Sequence, residues 1–267
     1  NGLDVASISS YFESMQRSYA SAIQQHLTGY RQMVFVTGPR QVGKTTLCQS
    51  IPPQHYFNWD NQDHRNIIFD GPGRVADEIG LSVLSEKPPV IVFDEIHKYS
   101  KWKEFLKGFF DVYGQLAKII VTGSSRLDIF KRGGDSLMGR YFLYRVHPLS
   151  VREVAAPFIG NLEISPPHYL EEDAFETLFS FGGFPEPFLK AETRFQNRWK
   201  RLRQQQLFRE DIQSLTQIQD VYQLERLAEL IKNQTGQLIN YSRLAVEANI
   251  SVDTVRRWLA TLESFYY

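Results

Sequence analysis

A single cysteine, Cys48, stands in the 267-residue chain. That excludes an intrachain disulfide framework and any zinc site built on thiolates. No apolar run approaches the ~18 residues needed to cross a bilayer, and the first residues lack the charged-then-apolar shape of a signal peptide. The expectation is a cytoplasmic protein with no membrane partner. Net charge is lacking too: 30 basic side chains are balanced by 30 acidic ones. Coating of nucleic acid by charge alone is therefore excluded as a class, and only a local basic face could serve that purpose. Internal repeats and low-complexity segments are absent. What is present is an ordinary 42% of hydrophobic residues, enough to build the core of one large domain or two smaller ones. Because it begins at Asn1 rather than Met and ends in Phe265-Tyr266-Tyr267, the chain is expected to be a fragment of a longer polypeptide.

Periodicity organises the first half. Residues 7–32 carry Ile8, Tyr11, Phe12, Met15, Tyr19, Ile23 and Leu27 at helical steps. The period then changes to short apolar runs at Met33-Val34-Phe35-Val36, Tyr56-Phe57-Asn58-Trp59, Val90-Ile91-Val92-Phe93, Lys118-Ile119-Ile120-Val121 and Tyr141-Phe142-Leu143-Tyr144, each expected as a buried strand. Helices are expected between them, from Lys44 to about Ser50, Val75 to Leu84 and Lys103 to Tyr113. Strands alternating with helices imply an α/β fold with a parallel sheet covered on both faces. The pattern breaks near Pro148. An acid- and proline-rich stretch is followed by the basic run Arg194, Arg198, Lys200, Arg201 and Arg203, and the rest reads as helices. The expected division is therefore a nucleotide-binding domain over 1–150 and a mostly helical domain over 151–267.

Gly38-Pro39-Arg40-Gln41-Val42-Gly43-Lys44-Thr45 fits Gly-x-x-x-x-Gly-Lys-Thr in full and lies between an expected strand and an expected helix. Backbone N–H groups of such a loop converge on phosphates, and glycine lets the backbone approach without a β-carbon in the way. The following helix, which starts at Lys44-Thr45-Thr46, adds its positive end. Lys44 would reach the β- and γ-phosphates, and the Thr45 hydroxyl would ligate Mg²⁺. Fifty residues on, Val90-Ile91-Val92-Phe93-Asp94-Glu95 is an apolar strand ending in two carboxylates. Asp94 suits the group that holds Mg²⁺ through water, and Glu95 the general base that orients the attacking water. An isolated Asp-Glu after a strand is as readily a solvated turn, so the pairing of the two motifs is what points to catalysis.

These residues resemble the prokaryotic AAA-type P-loop ATPases that carry an uncharacterised C-terminal domain. The resemblance extends through Phe93-Asp94-Glu95-Ile96-His97-Lys98 with Trp102 and Lys107, and through Ile120-Val121-Thr122-Gly123-Ser124-Ser125. It continues in Leu137-Met138-Gly139-Arg140-Tyr141, Pro148-Leu149-Ser150-Val151-Arg152-Glu153 and Phe181-Gly182-Gly183-Phe184-Pro185-Glu186. It implies a three-layer sandwich with a sheet ordered 5-1-4-3-2. It also implies a polar sensor of the γ-phosphate among Thr122, Ser124 and Ser125. Many such ATPases use Asn there, so which of the three serves stays open. Arg140, with Arg126 as second candidate, would stabilise charge on the transferred phosphoryl group. Pairing of Arg140 with a surface carboxylate is the equally weighted alternative. His97 is expected to hydrogen-bond at the sheet edge, Cys48 to pack in the core, and the four tryptophans to do the same.

Residues 240–263 have helix-turn-helix spacing, with Ala248-Asn249-Ile250 as the turn and Ser251 capping the second helix. The module could be winged-helix. Asp253 stands where a recognition helix would meet phosphates, which favours packing on a protein over reading of DNA. Trp199 inside the basic run could instead offer a stacking surface to nucleic acid. The expected activity is Mg²⁺-dependent ATP hydrolysis that drives or gates this module, with ATP and ADP as ligands. An ATP-gated switch with negligible turnover is the alternative. No Asn-Lys-x-Asp segment reads guanine, which favours ATP over GTP. Self-association, with an arginine from a neighbouring subunit completing the site, is compatible with the sequence.

Overall fold

A computed structural model describes residues 17–52, 54–81, 88–123, 137–156, 167–213 and 218–267. The chain divides into two compact units, Asn1–Glu192 and Thr193–Tyr267.

The first unit is built on five parallel strands: β1 (Met33–Thr37), β2 (Gln54–Asn58), β3 (Val90–Asp94), β4 (Lys118–Thr122) and β5 (Tyr141–Arg145). Their spatial order is β2-β3-β4-β1-β5, which read from the other edge is 5-1-4-3-2. β1 and β3 are buried at every position, as continuous apolar strands covered on both faces must be. Alternate residues serve opposite faces. Met33, Phe35, Ile91, Phe93, Ile119 and Val121 enter one core with α5 (Trp102–Tyr113), through Phe105, Leu106, Phe109 and Phe110. Val34, Val36, Val92 and Ile120 enter the other, with Ile23 and Leu27 of α1 (Ser18–Gly29) and Leu47 and Cys48 of α2 (Lys44–Gln49). Cys48 is fully buried, and burial pushes its thiol well above the ordinary range, so it is an inert packing group.

Several elements differ from expectation. Residues 7–16 of the expected first helix lie outside the described residues, and its end comes at Gly29, because Tyr30 is already extended. Asn61 nucleates a helix that periodicity did not announce, α3 (Gln62–Phe69), by accepting from the amides of Asp63 and His64. The next helix, α4 (Pro72–Glu78), starts earlier than Val75 because Pro72 is preorganised for the first turn.

Residues up to Glu192 belong to the first compact unit. Ser150 caps α6 (Val151–Ala155) by accepting from the Glu153 amide. Leu149 and Val154 then pack with Phe188 of α8 (Pro185–Lys190) and with Leu170, Ala174 and Leu178, the last two on α7 (Glu172–Phe181). Phe184 packs against the α1–α2 side of the sheet core. The acid- and proline-rich stretch therefore belongs to the sheet-bearing unit, held there by apolar burial that its composition does not display.

The second unit is helical throughout its described residues: α9 (Thr193–Gln205), a π-helical turn at Gln206–Ile212, α10 (Val221–Asn233), α11 (Tyr241–Ala248) and α12 (Val252–Ser264). Asn240 caps α11 by accepting from the Arg243 amide, Asn249 turns the chain at φ 55°, and Ser251 caps α12 through the Thr254 amide. The expected helix-turn-helix spacing is thus realised. No strand accompanies it among the described residues.

Candidate active site

In a parallel sheet every loop that follows a strand emerges at one edge. That edge collects the residues after Thr37, Asp94, Thr122 and Arg145. Gly38 leaves β1 at φ 148°, and a β-carbon there would come within 2.2 Å of the Val146 carbonyl oxygen, so the turn can be made only by glycine. Gly43 closes the loop at φ 90° and starts α2. An added β-carbon at Gly43 would reach only to 3.9 Å from Arg17 Nη1 and from Pro185 Cγ, which places both groups beside the loop.

Lys44 is 93% buried, yet its ammonium is satisfied: Nζ donates to the carbonyls of Gly38 at 3.0 Å and Pro39 at 2.8 Å. A cation held inside a ring of backbone dipoles is positioned for an anion entering the same ring. Thr45 and Thr46 lie on the exposed side of the first turn, and Thr45 Oγ1 donates to Asp94 Oδ2 at 3.2 Å. Asp94 also accepts from the hydroxyls of Tyr56 and Thr122. A buried carboxylate with three hydroxyl donors is fixed in orientation, and it charges against them: burial and the bond to Asp94 push the Tyr56 phenol far above its ordinary range. Tyr56 is therefore always a donor here.

Glu95 follows at φ 56°, a left-handed conformation that turns its side chain out of the strand's alternation. Its Oε2 lies 3.4 Å from Lys98 Nζ and 3.7 Å from His97 Nε2, and Lys98 in turn bonds Asp60 at 2.7 Å. Burial raises the Glu95 carboxyl above the usual carboxylate range, with Asp94 adding to the rise and Lys98 and Lys44 opposing it. His97 is buried beside Glu95, with Nε2 at 3.7 Å from its carboxylate.

The residues could hold Mg²⁺. Thr45 and Asp94 bring one hydroxyl and one carboxylate together. Among the described residues no group of three or more His, Cys, Asp or Glu side chains could hold a metal by itself. That donor set suits a magnesium ion whose remaining positions are water and phosphate oxygens.

Comparison with known families decides what this arrangement belongs to. Residues 30–155 match the model of an AAA domain, and residues 172–267 match a domain of unknown function (DUF8612). Residues 30–155, which carry the sheet, are thus similar to an AAA domain. Two mycobacterial relatives, the uncharacterized proteins Rv2008c of Mycobacterium tuberculosis and Mb2031c of Mycobacterium bovis, are each 24% identical over 251 residues. Those residues are 93% of this chain but 51% of either relative, so the chain spans about half the length of the proteins it matches. Among solved structures, Aeropyrum pernix ORC1 in complex with DNA gives a TM-score of 0.40 at 12% identity, covering 95% of this chain and 83% of that one. A Thermotoga maritima RuvB variant gives 0.39 at 16%, with coverages of 90% and 85%. The Saccharomyces cerevisiae Hsp104:casein complex gives 0.42 at 13%, with coverages of 91% and 48%. Overlap at this level extends no function to this chain.

Within residues 30–155, Lys44, Thr45, Asp94 and Glu95 meet at one edge, and Arg140 does not. The Arg140 carbonyl accepts from Met33 at the start of β1, and Tyr141 pairs with Met33. The phosphate loop lies at the other end of that strand, four residues or roughly 13 Å away. Arg140 instead forms a two-point pair with Asp111, at 2.8 and 3.1 Å. Its assignment to the active site of its own chain is therefore withdrawn; the surface-pair alternative is what the structure contains. Strand direction does bring Arg145, opposite Thr37, to the carboxyl edge. Ser124, Ser125 and Arg126 lie outside the described residues. Of the three sensor candidates, Thr122 is accounted for as a donor to Asp94.

Two polar groups escaped the sequence reading. Tyr56 sits mid-strand on β2, and nothing in its own segment announces Asp94 as its partner; the register Tyr56↔Val92 and Asn58↔Asp94 brings them together. Arg17 precedes α1 and bonds Glu153, 136 residues away.

The helical unit corrects one further reading. Trp199 is 92% buried, so the basic run offers no exposed indole for base stacking. Arg194, Arg198, Lys200 and Arg201 are exposed on α9. Among the described residues no helix is long and apolar enough to cross a membrane.

Proposed function

We propose that the AAA domain binds ATP with Mg²⁺ and hydrolyses it, and that the nucleotide state drives or gates the helical module at the C-terminus. The observation that carries this reading is the meeting of Thr45 from the phosphate loop with Asp94 at the end of β3, at 3.2 Å. Two motifs separated by fifty residues form one site. When bound, Mg²⁺ would supply charge neutralisation at the β- and γ-phosphate oxygens, held by Thr45 directly and by Asp94 through water. The loop amides and Lys44 would bind and orient the phosphates. Glu95, with its carboxyl poised above the usual range, would take a proton from the attacking water. Pro39, Arg40, Gln41 and Val42 would contribute backbone to the cradle.

A second reading has its own support. Glu95 is tied through Lys98 to Asp60, and a base restrained by an ammonium group suits a switch that holds ATP with negligible turnover. For the helical module, a protein partner is favoured over base-specific contact with DNA. Arg243 pairs with Glu247, and Arg256 lies 3.6 Å from Asp253 and over the Tyr241 ring, so two of the helix-turn-helix arginines have intramolecular partners.

The test is steady-state phosphate release from ATP with Mg²⁺, with and without double-stranded DNA. Turnover that needs Lys44 and Glu95 supports the hydrolase; tight ATP binding without turnover under either condition leaves the switch. Stimulation by DNA would reverse the preference for a protein partner. Tyr56→Phe supplies a finer check. It removes one donor to Asp94 at little steric change, and the Mg²⁺ concentration for half-maximal turnover should rise about tenfold, as for lost partners of a metal-holding group. An unchanged Mg²⁺ requirement would remove Tyr56 from the site.

A further inference from the structure

The segment Pro148-Leu149-Ser150-Val151-Arg152-Glu153 has so far only a structural use, yet one of its side chains reaches the phosphate loop through a second. Ser150 and Glu153 have the spacing of a capping box, in which the glutamate would return to the cap residue's amide. Here both Glu153 carboxylate oxygens are engaged by Arg17, Nε to Oε1 at 2.9 Å and Nη2 to Oε2 at 3.2 Å, and the Ser18 hydroxyl adds a bond to Oε1 at 3.1 Å. The pair is 9% and 8% exposed. Arg17 gives two further donors to backbone: Nη1 to the Val42 carbonyl at 2.8 Å and Nη2 to the His147 carbonyl at 2.6 Å.

The bond to Val42 has a consequence for phosphate binding. In a planar trans peptide the carbonyl and the N–H point in opposite directions. Gripping the Val42 oxygen from outside fixes the Val42–Gly43 peptide plane, and with it the direction of the Gly43 N–H on the other side. Gly43, at φ 90°, has no β-carbon to restrict the rotation of this plane, so an external hold on the Val42 oxygen restricts it instead. We propose that Arg17 and Glu153 are positioning residues of the phosphate loop, whose ion pair holds the Val42–Gly43 peptide with its N–H toward bound phosphate. Three segments remote in sequence are thereby tied together: the start of α1, the loop, and α6. A planar guanidinium holds carboxylate and carbonyls in fixed relative directions through a rigid fork of donors, whereas a lysine ammonium acts as a point charge on a flexible stem.

The inference rests on the ATP reading, and its test separates the two. Removing one member of a buried pair strands the other charge and can unfold the protein, whereas replacing both by apolar residues of similar size is often tolerated. The full chain is therefore compared with the double variant Arg17→Met/Glu153→Leu and with Arg17→Lys, by thermal melting, by amide hydrogen exchange without nucleotide, and by ADP binding. The expected result is cooperative melting, faster exchange of the loop amides over 38–45 with unchanged exchange in β1 and β4, and ADP affinity lower by about tenfold or more in the double variant. Exchange and affinity at wild-type values overturn the inference, as does exchange that quickens equally in the loop and the strands, which a merely structural pair would give. If the double variant does not melt cooperatively, Arg17→Lys decides by the same readouts. If the wild-type chain binds no adenine nucleotide, the ATP reading fails. The exchange rates alone then decide the ion pair: loop-specific acceleration upholds it, and wild-type rates overturn it.

Discussion

Glu95→Gln should leave ATP bound and abolish turnover, lowering the phosphate-release rate roughly 10²- to 10⁴-fold, the range a positioned general base contributes. The amide keeps the size of the side chain but cannot take a proton, and it also gives up the charge that faces Lys98. Loop, Lys44, Thr45 and Asp94 are untouched, so ATP should stay with the variant through gel filtration where the wild-type protein yields ADP. A variant that turns over at the wild-type rate would take the role of base away from Glu95 and favour the switch.

The same residue predicts how stability and activity depend on pH. Burial raises the Glu95 carboxyl in the folded chain, so the folded state binds this proton more tightly than the unfolded chain does. Stability from this group is therefore complete below the unfolded value and is lost as pH rises through the raised folded value. At pH 8 the wild-type protein carries a buried carboxylate that the variant lacks. Its Tm should then equal or fall below that of Glu95→Gln by up to a few degrees, and the difference should close toward pH 4. Turnover should have its acid limb at a higher pH than an ordinary glutamate would give. Melting curves and phosphate release across that range check both signs; a wild-type Tm above the variant's at pH 8 would contradict the burial argument.

Lys44→Ala should have the larger effect on binding. The ammonium now donates to the Gly38 and Pro39 carbonyls inside a nearly closed ring. Its removal takes a charged donor away from the phosphates and leaves two carbonyls without this partner. Charge-assisted hydrogen bonds contribute about 1.5–3 kcal/mol each, so ATP affinity should fall about a hundredfold or more. Calorimetric titration with ATP and Mg²⁺ measures it directly. Affinity within a factor of three of wild type would show that ATP does not enter this loop.

Much of this was legible from local sequence because local chemistry decides it. The spacing Gly38 to Thr45 dictates a glycine turn followed by a helix start, whatever surrounds it. The apolar runs dictate strands, and those beginning at Met33, Val90 and Lys118 are buried as expected; Tyr141–Arg145 forms its strand at the sheet edge with no position buried, contrary to expectation, because β1 is its one neighbour in the sheet. Asn240, Asn249 and Ser251 dictate caps and a turn within a few residues of themselves. Each of these features is a contest between neighbours along the chain, and the sequence displays both sides of it.

What the tertiary structure decided depends on partners that share no local signal. Tyr56 became a donor to Asp94 only through the register of β2 on β3. Arg17 found Glu153 and the Val42 carbonyl across 136 and 25 positions, which no periodicity encodes. Arg140 looked suited to a phosphoryl group by residue type, but the parallel direction of β5 sets it at the opposite edge of the sheet, where Asp111 neutralises it. Leu149, Val154, Phe184 and Phe188 bury their apolar surface in the first unit, beneath a composition that reads as linker. The sequence by itself determined which chemistry the chain carries and the strands and turns that bear it. The tertiary structure decided which of those groups stand at one edge, because strand direction and register, set by burial summed over the whole sheet, place side chains that are far apart in the chain.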